Sequence, residues 1–401
     1  MSNIPKLRFK EFSGVWEEKK YGDIYSFYST NSLSRDKLNY ESGKVYNIHY
    51  GDVHTKFNTM FHISNEDIPF INNNIDLSKI KKESYCLNGD LVIADASEDY
   101  NDIGKTIEII NLNNKLIVSG LHTFLARPDK YEMALGYVGY LLQSWKIRKQ
   151  VMTIAQGTKV LSLSTKRLSN IKLNLPQKQE QQKIASFLTS IDTKIEQLSS
   201  KQQLLEEYKK GIMQKLFSQE IRFQDDDGGE FLDWEVKRLK DILDYEQPTK
   251  YIVDSTEYNN KYKTPVLTAG KTFILGYTNE INGIHNNLPV IIFDDFTTAN
   301  HYVDFDFKVK SSAMKILRTK DKEVNLKFIY EVIQTLHFPL GEHKRYWISE
   351  YSYLKINLPQ LKEQTKIADF LSSIDKKIQS VSNQLVQTKE FKKGLLQKMF
   401  V

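Results

Sequence analysis

The feature that most constrains this chain is a long repeated segment. Residues 174–218 align without a gap to residues 357–401, at an offset of 183, and 24 of the 45 aligned pairs are identical. The first copy begins NLPQKQEQQKIASFLTSIDTKI and the second begins NLPQLKEQTKIADFLSSIDKKI; they end YKKGIMQKLFS and FKKGLLQKMFV. Chance does not produce agreement of this length, so the two segments must do equivalent work.

Each copy is predicted to form one long helix. Pro176 and Pro359 suit the first helical turn, where a missing N–H costs nothing, and no later proline interrupts either copy. Seam residues recur at alternating spacings of four and three, the period of a coiled coil. The apolar half of this seam comprises Ile184, Leu188, Ile191, Ile195 and Leu198, and then Ile367, Leu371, Ile374, Ile378 and Val381. One stripe cannot bury itself, so we expect the helices to pair, as an antiparallel coiled coil.

Two glycines, Gly211 and Gly394, lie late in the predicted helices. A missing side chain would permit close approach of another backbone, and this is one interpretation. The alternative is that each glycine marks a fraying point near the helix end.

The regions between the helices repeat more weakly. Trp16, Glu17, Lys19, Asp23 and Ile24 match Trp234, Glu235, Lys237, Asp241 and Ile242 at an offset of 218. The predicted order is a globular domain (1–175), a helix (176–218), a linker (219–233), a second globular domain (234–357) and a second helix (358–401). Together they form a pseudo-twofold tandem repeat.

Both globular domains are predicted to be α+β. Runs rich in β-branched and aromatic residues, bounded by turn-forming residues, predict strands at 44–50, 91–96, 106–112, 115–120, 290–293 and 305–309. Amphipathic patterns predict helices at 133–152 and 326–338.

Composition excludes several classes of protein. The single cysteine, Cys86, rules out a disulfide framework and a cysteine-based zinc site. The N-terminus lacks a signal-peptide pattern and no apolar stretch would span a bilayer, so we expect a cytoplasmic protein without membrane association. The net charge of +6 is not evenly spread, because residues 219–357 carry 18 basic and 22 acidic side chains. Bulk charge therefore does not establish nucleic-acid binding.

The repeated helices and the WEEKKYGDI and WEVKRLKDI openings of the globular domains resemble those of the specificity (S) subunit of Type I restriction-modification systems. The resemblance extends over essentially the whole chain. It implies two target recognition domains, each reading one half of a bipartite, asymmetric site in double-stranded DNA. It also implies that the helices set the gap between the half-sites and help to dock two methyltransferase subunits, with restriction and translocase subunits in the complete complex.

Catalytic alternatives are weaker. The chain has neither the Asn-Pro-Pro-aromatic motif of adenine methyltransferases nor a GxGxxG turn. Asp225 followed by Glu235 and Lys237 imitates the metal-binding pattern of nucleases, but no aspartate precedes the equivalent Glu17 and Lys19. We therefore expect a subunit without catalytic residues of its own.

A metal site is also disfavoured. His49 and His54 flank Asp52, but their spacing suits neither a helix face nor one side of a strand. Hydrogen-bonding or exposed roles are the better interpretation, and we expect no metal and no cofactor.

DNA contacts are predicted to come from polar and basic loops, because amides read adenine while lysine and arginine favour guanine or phosphate. In the first domain the candidates are Tyr50, Gly51, Asp52, Ser97, Asn101, Lys105, Gly157, Thr158, Lys159, Lys166 and Arg167. The loop containing Gly157 is expected to precede the last strand of this domain. In the second domain the candidates are Lys271, Thr272, Thr298, Asn300, His301, Lys344 and Arg345. Residues 341–345 are taken as the counterpart of 156–159 with the basic pair Lys166 and Arg167. For each candidate, a plain surface turn is the alternative.

A scaffold whose globular domains bind proteins is the competing hypothesis. Preserved helices with diverged domains favour DNA reading, because a reader must vary its recognition surfaces and keep its spacer.

Overall fold

The computed structural model describes residues 3–268, 272–340 and 345–401. The chain divides into two compact units: unit 1 comprises Met1–Ser199 and Asn383–Val401, and unit 2 comprises Ser200–Ser382. The first long helix spans Lys178–Phe217 and the second spans Leu361–Met399, so each contributes to both units. Below, head 1 denotes residues 3–175 and head 2 denotes residues 221–358.

Both helices predicted from the repeat are present, but their prolines lie outside them. Pro176 precedes the first helix by two residues, and the backbone carbonyl of Gln177 accepts the first helical bonds, from Glu180 and Gln181. Pro359 stands in the same relation to the second helix. The expectation of a first-turn proline is wrong by about half a turn, because a glutamine follows each proline and opens the helix.

Seam positions are buried or half-buried along both helices. Fully buried members include Ile184, Leu188, Ile367 and Leu371. Later positions vary between buried and half-buried, and Lys209 and Lys392 are half-buried. Burial of one stripe on an otherwise exposed helix is what a coiled-coil period produces.

Within each unit the two helices run in opposite directions. In unit 1, Asp192 in the first half of the first helix contacts Lys392 in the last quarter of the second, with 2.6 Å between Oδ1 and Nζ. Asn174, just before the first helix, donates to the carbonyl of Val401, just after the second.

The helices of unit 2 are opposed in the same way. Lys209 in the last quarter of the first helix contacts Asp375 in the first half of the second, at 2.7 Å. Arg222, just after the first helix, pairs with Glu363 in the first turn of the second.

The close-approach interpretation of Gly211 and Gly394 is wrong within the chain. A Cβ atom added at either position would meet nothing within 4 Å. Both helices continue for several residues beyond the glycine. The absence of a side chain is therefore not needed for packing inside the protein.

Head 1 is built on two main sheets. The five-stranded sheet has the order Tyr25–Tyr28, Thr123–Pro128, Leu91–Ala94, Thr106–Asn111, Met60–His62. The four-stranded sheet has the order Ile117–Ser119, Tyr46–Ile48, Phe70–Ile71, Leu38–Asn39. Two short pairs complete it, Glu17–Lys20 with Lys172–Leu175 and Ala96–Ser97 with Leu161–Ser162. Its helices are Tyr21–Ile24, Tyr50–Thr55, Tyr137–Leu141, Trp145–Ile154 and Thr165–Leu168.

Head 2 repeats this plan with fewer strands. Its four-stranded sheet has the order Leu243–Glu246, Met314–Thr319, Val290–Asp294, Asn300–Val303. A three-stranded sheet has the order Ile274–Thr278, Thr264–Leu267, Lys308–Val309, and Glu235–Arg238 pairs with Lys355–Leu358. Its helices are Leu239–Ile242, Leu326–Ile333 and Tyr346–Ser349. The α+β prediction therefore holds for both heads.

Two predicted helices are shorter than their patterns. The stretch 133–152 breaks into two helices because Ser144 adopts an extended conformation and begins the second one. In the stretch 326–338 the helix ends at Ile333, and Phe338 packs edge-on against Tyr346. The predicted strand 305–309 retains only Lys308–Val309.

Part of the predicted linker 219–233 is packed. Arg222 donates to both carboxylate oxygens of Glu363, at 3.1 and 2.9 Å, and Phe223 lies edge-on to Phe370. In unit 1, Arg8 binds Glu180 in the same way. The linker thus opens with a short anchoring motif, Ile-Arg-Phe, which matches Leu-Arg-Phe at residues 7–9.

Separate apolar cores support the two units. The core of unit 1 joins head 1 to Ile184, Leu188 and the chain end at Phe400. The core of unit 2 joins head 2 to Met213 and Leu371. In the described parts of the chain, no helix is both long and apolar enough to cross a membrane.

Candidate nucleic-acid interface

In head 1, several of the loops that are predicted to contact DNA lie close together at one edge of the domain. The strands Ala96–Ser97 and Leu161–Ser162 pair, and the Leu163 N–H donates to the carbonyl of Asp95 at 2.8 Å. This pairing places the loop 156–160 beside the loop that follows Asp95. The strand directly after this loop is Leu161–Ser162, and the last strand of head 1, Lys172–Leu175, comes later in the chain.

A third segment, the helix Tyr50–Thr55, is fixed to the same edge. The Nε2 atom of His54 lies 2.9 Å from the carbonyl oxygen of Ala96, and Lys105 donates from Nζ to the carbonyl of His54. Loops that lie about fifty residues apart in sequence are therefore held together by backbone-directed hydrogen bonds.

Asp52 is placed differently from its neighbours in this helix. Its side chain is buried, and Arg35 donates to Oδ1 at 2.7 Å while Lys56 lies 3.7 Å away. Of the predicted group of three, Tyr50 and Gly51 are half-buried. Asp52 therefore positions the helix and presents no carboxylate to a ligand.

The histidines of this region are engaged in hydrogen bonds. The Gly51 N–H donates to Nδ1 of His49 at 3.2 Å, and His54 bonds Ala96 as described. Burial, reinforced by the charge of Arg35, lowers the pKa of His49. Among the described residues, no group of three or more His, Cys, Asp or Glu side chains is arranged to hold a metal ion.

Sequence reasoning missed two residues at this edge, His122 and Asp95. Nδ1 of His122 lies 3.3 Å from Oδ1 of Asp95, and its ring meets the Tyr50 ring edge-on at 5.3 Å between centroids. The Asp95 N–H donates to the His122 carbonyl at 3.1 Å. Burial raises the pKa of Asp95, and His122 opposes that rise. No motif signals this pair, because 26 residues separate its members.

The loop 156–160 is fully exposed, including Thr158 and Lys159. Gly157 has φ of +131°, and an added Cβ would lie 1.9 Å from the carbonyl oxygen of Val160. Only glycine fits this turn, so the loop presents Thr158 and Lys159 in a defined position.

The remaining candidates of head 1 lie nearby on ordered backbone. Ser97 Oγ accepts from the Asp99 N–H, and Arg148 donates to the carbonyl of Asn101 at 2.9 Å. Asn101 is exposed. Lys166 and Arg167 lie on the helix Thr165–Leu168, exposed and half-buried respectively.

In head 2, candidates cluster on the hairpin between Val290–Asp294 and Asn300–Val303. Thr298 occupies its turn with φ of +59°, and Asn300 donates to the Thr298 carbonyl at 3.1 Å. The ring of His301 stacks on Phe273 at 3.8 Å, and burial lowers the pKa of this histidine.

Four other candidates remain in head 2. Thr272 is exposed, and the Arg345 guanidinium lies 5.9 Å from the ring centre of Phe296, on that hairpin. Lys271 and Lys344 lie outside the described residues.

The proposed counterpart of Lys166 and Arg167 in head 2 is wrong. The Tyr346 N–H donates to the carbonyl of Asp295 at 2.8 Å, which is the bond that Leu163 makes to Asp95 in head 1. Arg345, the residue before Tyr346, is therefore equivalent to Ser162. Arg345 thus occupies a different place on head 2 from the place of Lys166 and Arg167 on head 1.

Comparison with known proteins gives a consistent result. The sequence matches the family described as Type I restriction modification DNA specificity domain over residues 14–207 and 232–389. It is 58% identical over 126 residues to the Type I restriction enzyme EcoR124I/EcoR124II specificity subunit of Escherichia coli, a match that spans 30% of this chain and 31% of that protein. It is 26% identical over 319 residues to the MjaVIII specificity subunit of Methanocaldococcus jannaschii, spanning 72% of this chain and 74% of the relative.

The fold has a solved counterpart. The crystal structure of a Type I restriction-modification S subunit from M. genitalium superposes with a TM-score of 0.67, covering 99% of both chains at 15% identity. At that identity the likeness concerns the fold alone.

Proposed function

The chain belongs to the Type I restriction modification DNA specificity family, and from that premise we propose that it selects the DNA sequence for a Type I restriction-modification complex. Each head reads one half of a bipartite, asymmetric site in double-stranded DNA. The methyltransferase and endonuclease activities reside in partner subunits. Because the complex acts on DNA, the protein is proposed to lie in the cytoplasm of the host.

The observation that carries the proposal is the family match over both halves of the chain. Each matched half contains one head and most of one long helix. Two readers in one chain suit a target with two unlike halves, since the heads keep a frame and differ in the side chains that they expose.

Particular loops are proposed to contact DNA. They share exposure or half-burial, and polar or basic side chains that suit phosphates and base edges. In head 1 they are Tyr50, Gly51, Ser97, Asn101, Lys105, Gly157, Thr158, Lys159, Lys166 and Arg167; in head 2 they are Thr272, Thr298, Asn300, His301 and Arg345.

The long helices are proposed to form one antiparallel coiled coil that sets the gap between the half-sites. The opposed directions of the helices within each unit support this. The pseudo-twofold repeat, with boundaries at 1–175, 176–218, 219–233, 234–357 and 358–401, belongs to the same proposal. Two methyltransferase subunits dock on this frame, and restriction and translocase subunits join in the complete complex.

A genome-wide map of methylated adenines tests the proposal. The map is recorded in the host, in a strain lacking this gene, and in that strain with the gene restored. Loss and return of one two-part motif with a fixed internal gap is the expected result. An unchanged map, with the methyltransferase subunit expressed and active on DNA, would contradict DNA selection and favour heads that bind protein.

A further inference from the structure

The edge of head 1 where the loops converge contains an exposed histidine in an unusual setting. His122 has φ of +53°, and its side chain is 52% exposed. A residue other than glycine rarely adopts this backbone conformation, and its persistence calls for a reason. The N–H of Tyr50 donates to the carbonyl of Leu121 at 3.4 Å, so the turn is tied to the neighbouring helix.

Asp95 fixes the chemistry of the ring. Because Oδ1 of Asp95 faces Nδ1 of His122, the proton of the neutral ring is held on Nδ1, and Nε2 is left for a ligand. When the ring is charged, Nε2 becomes a donor. The Asp95 side chain is 23% exposed, so the pair lies at the rim of the head.

Head 2 keeps one backbone hydrogen bond of this site, but it lacks the positive φ of His122 and changes the side chains. The Asp295 N–H donates to the carbonyl of Ala313 at 3.2 Å, as the Asp95 N–H does to His122. The Asp295 carboxylate is buried, accepts from the Trp347 N–H at 2.8 Å and faces Lys315 at 3.3 Å. Alanine thus replaces the exposed histidine, and the carboxylate stabilises the core.

We propose that His122, positioned by Asp95 and Tyr50, is a DNA-contacting residue of head 1 and helps to distinguish the half-site that this head reads. The inference rests on the proposed function. Nε2 donates to a phosphate or to a guanine edge when the ring is charged. The heads should differ most where they read different bases, and this position differs in side chain and in φ although the backbone bond from the aspartate is kept.

Other titratable groups face the same turn. Tyr50 and Asp95 contact the His122 ring. Around them, His49 and His54 contact the Tyr50 ring, and Lys105 donates to the carbonyl of His54. Arg35 and Asp52 form their own ion pair beside His49. The assignment to His122 therefore needs variants, because the unaltered protein alone would not separate the contributions of these groups.

The test uses the full chain in complex with its methyltransferase subunits and a DNA duplex that carries the mapped site. Affinity is measured for the unaltered protein, His122→Asn, Asp95→Asn and the control His337→Asn, an exposed histidine of head 2. His122→Asn should weaken binding roughly tenfold because one contact to DNA is lost, and the control should bind as the unaltered protein does. Asp95→Asn should weaken binding by a smaller factor, because it removes the carboxylate that positions the ring.

A second readout concerns specificity. Duplexes with single base changes in each half-site are compared, and His122→Asn should lose discrimination in one half-site only. Unchanged affinity and discrimination in His122→Asn would overturn the inference, provided that the variant complex melts at the same temperature. Failure of the unaltered complex to prefer the mapped site would instead overturn the proposed function.

Discussion

The junctions between head and helices differ in chemistry between the two units, although the helices offer each head the same pair of side chains. In unit 1, Tyr140 donates to Asp192 at 2.8 Å, and Asp192 pairs with Lys392. In unit 2 the helical pair is Lys209 and Asp375, and head 2 adds Glu331, whose side chain is fully buried and lies 2.9 Å from Lys209. One head thus supplies a neutral hydroxyl where the other supplies a charge.

The two head residues occupy equivalent positions. Gln181 accepts from the Ala134 N–H in unit 1, and Gln364 accepts from the Asn325 N–H in unit 2. Tyr140 follows Ala134 by six residues, as Glu331 follows Asn325.

A second cation accompanies the buried carboxylate. Lys327 lies 2.8 Å from Glu331, and its equivalent in head 1 is Gly136. Burial opposes the charge on Lys209, but the bond to Asp375 and the charge of Glu331 together raise its pKa. Each head therefore carries side chains that balance the charges of its helical Lys–Asp pair. Exchanging a single residue between the heads would leave a charge uncompensated.

The equivalent strands Thr106–Asn111 of head 1 and Asn300–Val303 of head 2 also differ in the residue that packs beside this junction. In head 1, Glu108 accepts from the N–H groups of Gly136 and Gly139 at 2.6 and 2.8 Å. In head 2, Tyr302 stands at this position and packs against the Tyr330 ring at 5.9 Å. Helices are shared between the copies, whereas the residues that meet them are specific to each head.

The largest loss of stability is expected from substitutions in the helical seam, which is alike in the two units. Ile191→Asp or Ile374→Asp places a carboxylate in the buried seam and should cost roughly 4 kcal/mol, with loss of methyltransferase binding. Size-exclusion chromatography with light scattering measures the mass of the complex. Ser190→Asp and Ser373→Asp, on exposed neighbouring positions, are the controls and should assemble normally. Complexes of full mass from the isoleucine variants would show that the seam does not support assembly.

Removing the helical lysine should destabilise the two units to different extents. Lys209→Met leaves the buried Glu331 with Lys327 alone and should cost about 3 kcal/mol of unfolding free energy. Lys392→Met should cost about 1 kcal/mol, because Asp192 is 25% exposed and keeps the Tyr140 hydroxyl. Denaturant titration of both variants measures the difference. Equal losses would mean that the buried carboxylate does not distinguish the junctions.

The sequence predicted the long helices, which depend on a local repeat, but not the side-chain contacts between the heads and the helices. The heptad of Ile184 and Leu188 depends on local spacing, so both helices followed from it. Tyr140 and Glu331 could not be paired with the helical ions, because the globular repeat is weak and its offset of 191 here differs from the offset of 183 for the helices. Burial of Asp52 by Arg35 likewise depends on a loop outside its own motif.

Glu108 should make unit 1 respond to pH in a way that unit 2 does not. Burial raises its pKa from 4.5 to about 7. The folded state therefore binds more protons than the unfolded state between these values, and stability falls as pH rises. From pH 5 to pH 8 the loss should be about 2 kcal/mol. Denaturation midpoints measure it, and Glu108→Gln should remove this part of the slope. A slope shared by both proteins would assign the effect to other groups.

The smallest change in stability is expected at Gly211 and Gly394. The two helices share these glycines, although no contact within the protein requires them. A Cβ atom meets nothing at either position, so Gly211→Ala and Gly394→Ala should each stabilise the chain by about 0.5–1 kcal/mol. Thermal unfolding measures each gain, and equal gains are expected because the settings are equal. If the isolated chain is stabilised while its complex with methyltransferase subunits weakens, the glycines serve a surface that a partner approaches closely. If both are stabilised, the two helices carry the glycines without such a contact, and their likeness reflects shared sequence alone.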